Sequence, residues 1–121
     1  MGQIVYLGKI PLIRYKRSTG FDVKDITVYK GSTGGYVLDF KDITGVIKKR
    51  PQNMVDFLAA LSSSMGWSTV GQQLTPVQGT VNYIRPVPLQ VAIAYWNYWA
   101  GKGNRLASTV LQALATCYPV P

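Results

Sequence analysis

Val87-Pro88-Leu89-Gln90-Val91-Ala92-Ile93-Ala94-Tyr95-Trp96-Asn97-Tyr98-Trp99, then Gly101-Lys102-Gly103-Asn104-Arg105, then an apolar-periodic run to Cys117, is the stretch whose reading decides the fold. Two helical patterns joined by a glycine-bounded basic turn form an αα-hairpin. Gly101 is expected to end the first helix and Asn104 to cap the second. The second is amphipathic through Ala107, Val110, Leu111 and Leu114. In the first, Tyr95 and Trp99 share a face while Trp96 lies about 100° from Tyr95, so Tyr95, Trp96, Tyr98 and Trp99 cannot all occupy one buried stripe. Tyr95 and Trp99, or Trp96 and Trp99, are expected in the core, with the remainder partly exposed and wet at its polar tip.

Working upstream, the first forty residues read as short β-rich runs: Ile4-Val5-Tyr6, Ile10 to Tyr15, Ile26 to Tyr29, and Tyr36 to Phe40. Gly8, Ser18-Thr19-Gly20 and Gly31-Ser32-Thr33-Gly34-Gly35 punctuate them, the last as a hairpin turn. Asp42 opens a short helix through Ile47 that carries Lys48-Lys49-Arg50 in its last turn and ends at Pro51. Asn53 caps a second helix, Met54 to about Ser62, with Met54, Phe57, Leu58 and Leu61 on one face. The pair is consistent with a helix-turn-helix. Residues 63–79 read as a loop anchored by Trp67, and residues 80–85 as a strand that Pro86 and Pro88 terminate. The expected fold class is α+β: N-terminal antiparallel β-hairpins, short helices and a C-terminal αα-hairpin, all in one basic domain over residues 1–121. Its parts are β-rich 1–41, helical 42–62, loop 63–79, strand 80–85 and αα-hairpin 88–117.

Composition narrows the partners. The 121 residues hold 13 Lys and Arg against 5 acids, all Asp, for a net charge of +8. Residues 1–50 hold ten of the cations and four Asp; residues 51–121 hold the other three and one. Such a surface suits a polyanion, with its footprint on the N-terminal half. Cys117 is the single cysteine, so no disulfide within the chain is possible, which suits a reducing cytoplasm. Met1 to Tyr6 lacks the basic start of a signal peptide, and residues 86–101 are too short for a spanning helix, so a soluble cytoplasmic protein away from membranes is expected.

Catalysis has little to draw on. With no His and no Glu, the usual general acid-base group and the commonest neutral metal ligand are both missing. Asp22 with Asp25, or Asp39 with Asp42, has a spacing compatible with Mg²⁺, and Asp39 with Lys41 resembles a fragment of a nuclease metal site. The plainer reading is that Asp39 and Asp42 end a strand and begin a helix, where Asp commonly caps. Cys117 has no His partner, and residues 31–35 lack the Gly-Lys-Ser/Thr ending of a phosphate loop. The expectation is no enzyme, no metal and no cofactor.

The wording of residues 80–117 resembles phage-type and cyanobacterial regulatory domains related to the KilA-N, Bro-N and AntA antirepressor group. Those domains carry Pro-Leu, Tyr-Trp, Lys-Gly-Asn and Ala-Leu after an extended segment, here Pro88-Leu89, Tyr95-Trp96, Lys102-Gly103-Asn104 and Ala113-Leu114. The match is good over the last forty residues and loose in the middle. It implies duplex DNA binding by a small transcription regulator without catalysis. From charge, Lys48, Lys49 and Arg50 are expected to neutralise phosphates, and Gln52 and Asn53 to reach base edges. Lys102, Asn104 and Arg105 form a basic turn at a helix N-terminus, and Arg14, Lys16 and Arg17 lie on a strand edge; these complete the expected DNA surface. Exposed aromatics of the quartet would supply a homodimer seam or a stacking platform. The alternatives are a phage-encoded inhibitor that binds a protein of a host or defence complex and, after it, a minimal Mg²⁺ nuclease.

Overall fold

A computed structural model describes residues 4–16, 20–31, 35–65, 70–71 and 73–117, with the side chains of 9–25, 61–65 and 116–117 outside the description. Arg17 and Trp67 lie outside the described residues, as do the side chains of Arg14, Lys16, Leu61 and Cys117. The architecture is α+β. An antiparallel sheet pairs β1 (Val5–Lys16), β2 (Gly20–Lys30), β3 (Tyr36–Asp39) and β6 (Pro86–Pro88) in that order. Helices α1 (Phe40–Gly45) and α2 (Pro51–Met65) follow β3, a small sheet joins β4 (Thr75–Pro76) to β5 (Tyr83–Ile84), and α3 (Leu89–Gly101) packs on α4 (Arg105–Cys117) to close the chain.

The first two expected strands are one. Gly8 does not break β1; it sits where the register with β2 slips between Tyr6 and Gly8, a bulge that absorbs a residue while pairing continues. Pro11 is tolerated because, among the described residues, β1 is an edge strand with β2 as its sole sheet neighbour. Alternation survives in β2, where Ile26 and Val28 are buried and Thr27 and Tyr29 are half-buried. The β2–β3 turn closes through Gly31 N–H to the Gly35 carbonyl at 2.7 Å.

Pro86 and Pro88 were expected to end a strand over 80–85. Instead they bracket a strand of their own, with Val37 opposite Pro88, Leu38 opposite Val87 and Asp39 opposite Pro86. β6 is the other sheet edge, so the missing N–H groups face no further strand. Only Tyr83–Ile84 of the expected segment is strand, and the expected loop yields Ser63, Ser64 and Met65 to α2 and Thr75–Pro76 to β4.

Helix boundaries move as well. α1 starts at Phe40, two residues before Asp42, and Lys48-Lys49-Arg50 lies beyond its last turn. Lys48 N–H bonds to the Gly45 carbonyl at 3.0 Å and Lys49 N–H to the Thr44 carbonyl at 2.9 Å, with Lys48 at φ 58°. This is the Schellman pattern with a lysine in the left-handed position that glycine usually takes. α2 starts at Pro51, whose fixed φ suits a first helical residue, so Asn53 is inside the first turn and is no cap.

The core joins sheet to helices. Ile26, Val28, Leu38, Ile43, Met54, Val87, Val91 and Ala107 are essentially inaccessible, with Tyr95 and Trp96 fully buried among them. The Trp96 indole N–H donates to the Ile43 carbonyl at 3.0 Å, which satisfies its polar atom and ties α3 to α1. On α4, Ala107, Val110 and Leu114 face inward, whereas Leu111 is only partly buried.

Candidate nucleic-acid interface

The two basic turns that lie far apart in sequence meet at the aromatic end of α3. Lys49 places its ammonium 3.8 Å from the centroid of a Trp99 ring. The Tyr98 and Trp99 rings stand edge to face with centroids 5.4 Å apart, and the Lys102 ammonium lies 5.3 Å from the Tyr98 centroid. Both lysines thus bind the negative face of an aromatic ring. Lys48 and Arg50 flank Lys49 in sequence and Arg105 follows the second turn; these three and Lys102 are exposed, and Tyr98 keeps 46% of its surface accessible.

Local structure explains the meeting. The α3–α4 corner repeats the motif that ends α1: Gly103 N–H bonds to the Ala100 carbonyl at 3.0 Å and Asn104 N–H to the Trp99 carbonyl at 2.9 Å, with Gly103 at φ 93°. Gly103, not Gly101, takes the left-handed position that reverses the chain, and Gly101 remains helical. Asn104 then caps α4 as expected, its side-chain oxygen accepting from Ala107 N–H at 3.0 Å.

The expected base readers are differently employed. The Asn53 side-chain oxygen accepts from the Tyr95 hydroxyl at 2.6 Å and from the Trp99 indole N–H at 3.0 Å. It is a structural bracket between α2 and α3, so that oxygen is committed within the fold. Gln52 is exposed and donates to Asp56 at 3.0 Å. Asn104 is committed to its cap. Of the strand cations, Arg14 pairs in register with Asp22 and Lys16 with Gly20, remote in sequence from the basic–aromatic face.

Two features were missed from sequence. Asn53 reads as a cap because its type and position suit one, and its partners lie 42 and 46 residues away. The stacking of Lys49 on Trp99 likewise depends on the packing of α1, α2 and α3, which no local pattern encodes. Burial pushes the Tyr95 phenol up to about 12, so it acts as a neutral donor to Asn53.

The nuclease fragment has a structural role. Asp39 is buried, accepts Arg85 N–H at 3.4 Å, and sees the Lys41 ammonium at 3.9 Å from its other oxygen. Among the described residues no group of three or more His, Cys, Asp or Glu is placed to hold a metal ion. No described helix is long and apolar enough to cross a membrane. No family model matches the chain, and no curated protein or solved structure does so either.

Proposed function

We propose that the protein is a small, non-catalytic DNA-binding regulator of the phage type that residues 80–117 resemble, and that it meets the duplex with the face built on Tyr98 and Trp99. The observation that carries this reading is the convergence of two basic turns on one aromatic pair, Lys49 over Trp99 and Lys102 over Tyr98. Convergent cations gain more from a polyanion than the same charges scattered. Lys48, Arg50, Lys102 and Arg105 contact phosphates, while Lys49 holds the platform together.

With Asn53 and Asn104 committed inside the fold, this face positions the protein on the backbone and reads little sequence itself. A twofold seam through Tyr98 would set Lys102 against its own copy, so the homodimer expected from the sequence needs another surface.

A salt titration with mixed-sequence duplex tests the proposal. Four phosphate contacts give a log-log slope near −3.6, at about −0.9 per contact. Absence of binding at about 50 mM salt would sink the regulator reading and leave the inhibitor of a protein partner.

A further inference from the structure

On the far side of α2 from the basic–aromatic face, a cleft of about 680 Å³ opens between α1, α2 and the β4–β5 region. Its walls are apolar, with Phe40, Pro51, Val55, Leu58, Val70 and Leu74 turned toward it. Val55 and Leu74 remain 47% and 55% exposed, and Tyr83 at the mouth 60%. Isolated exposed apolar residues are ordinary; three converging on one concavity are not. Its volume falls in the range of small-molecule sites.

The floor is built tightly. Gly71 adopts φ +72°, and a Cβ there would fall into the ring of Phe40, so only glycine lets this segment lie directly on the Phe40 wall.

Charge decides the class of occupant. Among the described residues, three charged ones line the cleft: Asp39, Lys41 and Arg85. Asp39 is 5% exposed and already receives Arg85 N–H and the Lys41 ammonium, whereas Lys41 and Arg85 are exposed. A molecule entering therefore meets positive charge at the rim and hydrocarbon below. We propose that the cleft binds a small amphipathic anion, a ring-sized apolar body bearing one acidic group, with the body between Val55, Leu58 and Leu74 and the acidic group at Lys41 and Arg85. This site is separate from the DNA-binding face and does not depend on it.

The probe is 1-anilinonaphthalene-8-sulfonate, compared with the neutral N-phenyl-1-naphthylamine, which shares its rings and lacks the sulfonate. Fluorescence titration should show one saturable site, with the sulfonate bound about fivefold or more tightly than the neutral compound. Val55→Trp, which fills the cleft, should weaken both probes about tenfold or more at an unchanged thermal midpoint. Ala59→Met repeats the test from the next exposed wall position if the tryptophan variant does not fold. Lys41→Gln combined with Arg85→Gln should bring the sulfonate down to the neutral probe. Absence of saturation by either probe, binding that survives filling of the cleft, or equal affinity of the two probes for the native protein would each overturn the proposal.

Discussion

Lys48 and Gly103 hold the same position in two copies of one helix-ending motif, at φ 58° and φ 93°. The glycine is at ease there, whereas the lysine bears the steric cost of a left-handed backbone, about 1–2 kcal/mol. Glycine loses more chain entropy on folding, which returns part of that gain. Lys48→Gly should therefore stabilise the protein by up to about 1 kcal/mol in chemical denaturation while reducing duplex affinity through the lost cation. A rise in stability with affinity unchanged would remove Lys48 from the proposed DNA surface.

Asn53→Ala deprives two donors, the Tyr95 hydroxyl and the Trp99 indole N–H, of one shared acceptor. Leaving them unsatisfied should cost about 2–3 kcal/mol. Asn53→Asp keeps the acceptor and should recover much of the loss. If Asn53 instead read base edges, alanine would change sequence preference and leave the denaturation midpoint where it was.

Leu114 is 2% exposed on the inner face of α4, and Leu111 is only partly buried. Leu114→Ala should cost about 2–5 kcal/mol, and Leu111→Ala distinctly less, since fewer contacts are lost. Equal losses would mean that α4 is rotated about its axis relative to the packing described.

The Tyr95 phenol, raised to about 12 by burial, ionises more readily in the unfolded chain, where its value is near 10. Its contribution to stability is complete below about pH 10 and is lost as pH rises through about 12. Tyr29 shifts in the same direction, first through burial and then through Asp39 and Asp42. Stability measured from pH 9 to 12 should fall, and Tyr95→Phe should flatten the decline. A decline as steep in the phenylalanine variant would place its cause in other groups.

The α3–α4 hairpin was legible because its signals are local: apolar periodicity, an Asn cap and a glycine turn, all within one stretch. The basic trio was legible as charge, but its place outside α1 was not, since Lys48 fills a position that sequence patterns reserve for glycine. Pro86 and Pro88 read as terminators because proline blocks a central strand; that they lie on an edge depends on β3 arriving from residues 36–39. Asn53 read as a cap and a base reader, but the task of its side-chain oxygen is set by aromatic groups over forty residues away. Distance along the chain, more than ambiguity of residue type, separated what could be read from what could not.

α2 stands between two openings. Pro51, Val55, Leu58 and Ala59 turn toward the apolar cleft, and Asn53, Asp56, Phe57 and Ala60 toward a smaller recess beside Tyr98 and Trp99. At about 100° per residue these sets fall on opposite sides of one cylinder. A rotation of that helix by a fraction of a turn would widen one recess at the expense of the other. Should occupancy of either side favour one rotation, thermodynamic reciprocity would carry the same factor into both affinities; should it favour none, the two sites stay independent, and titrating one ligand in the presence of the other tells which.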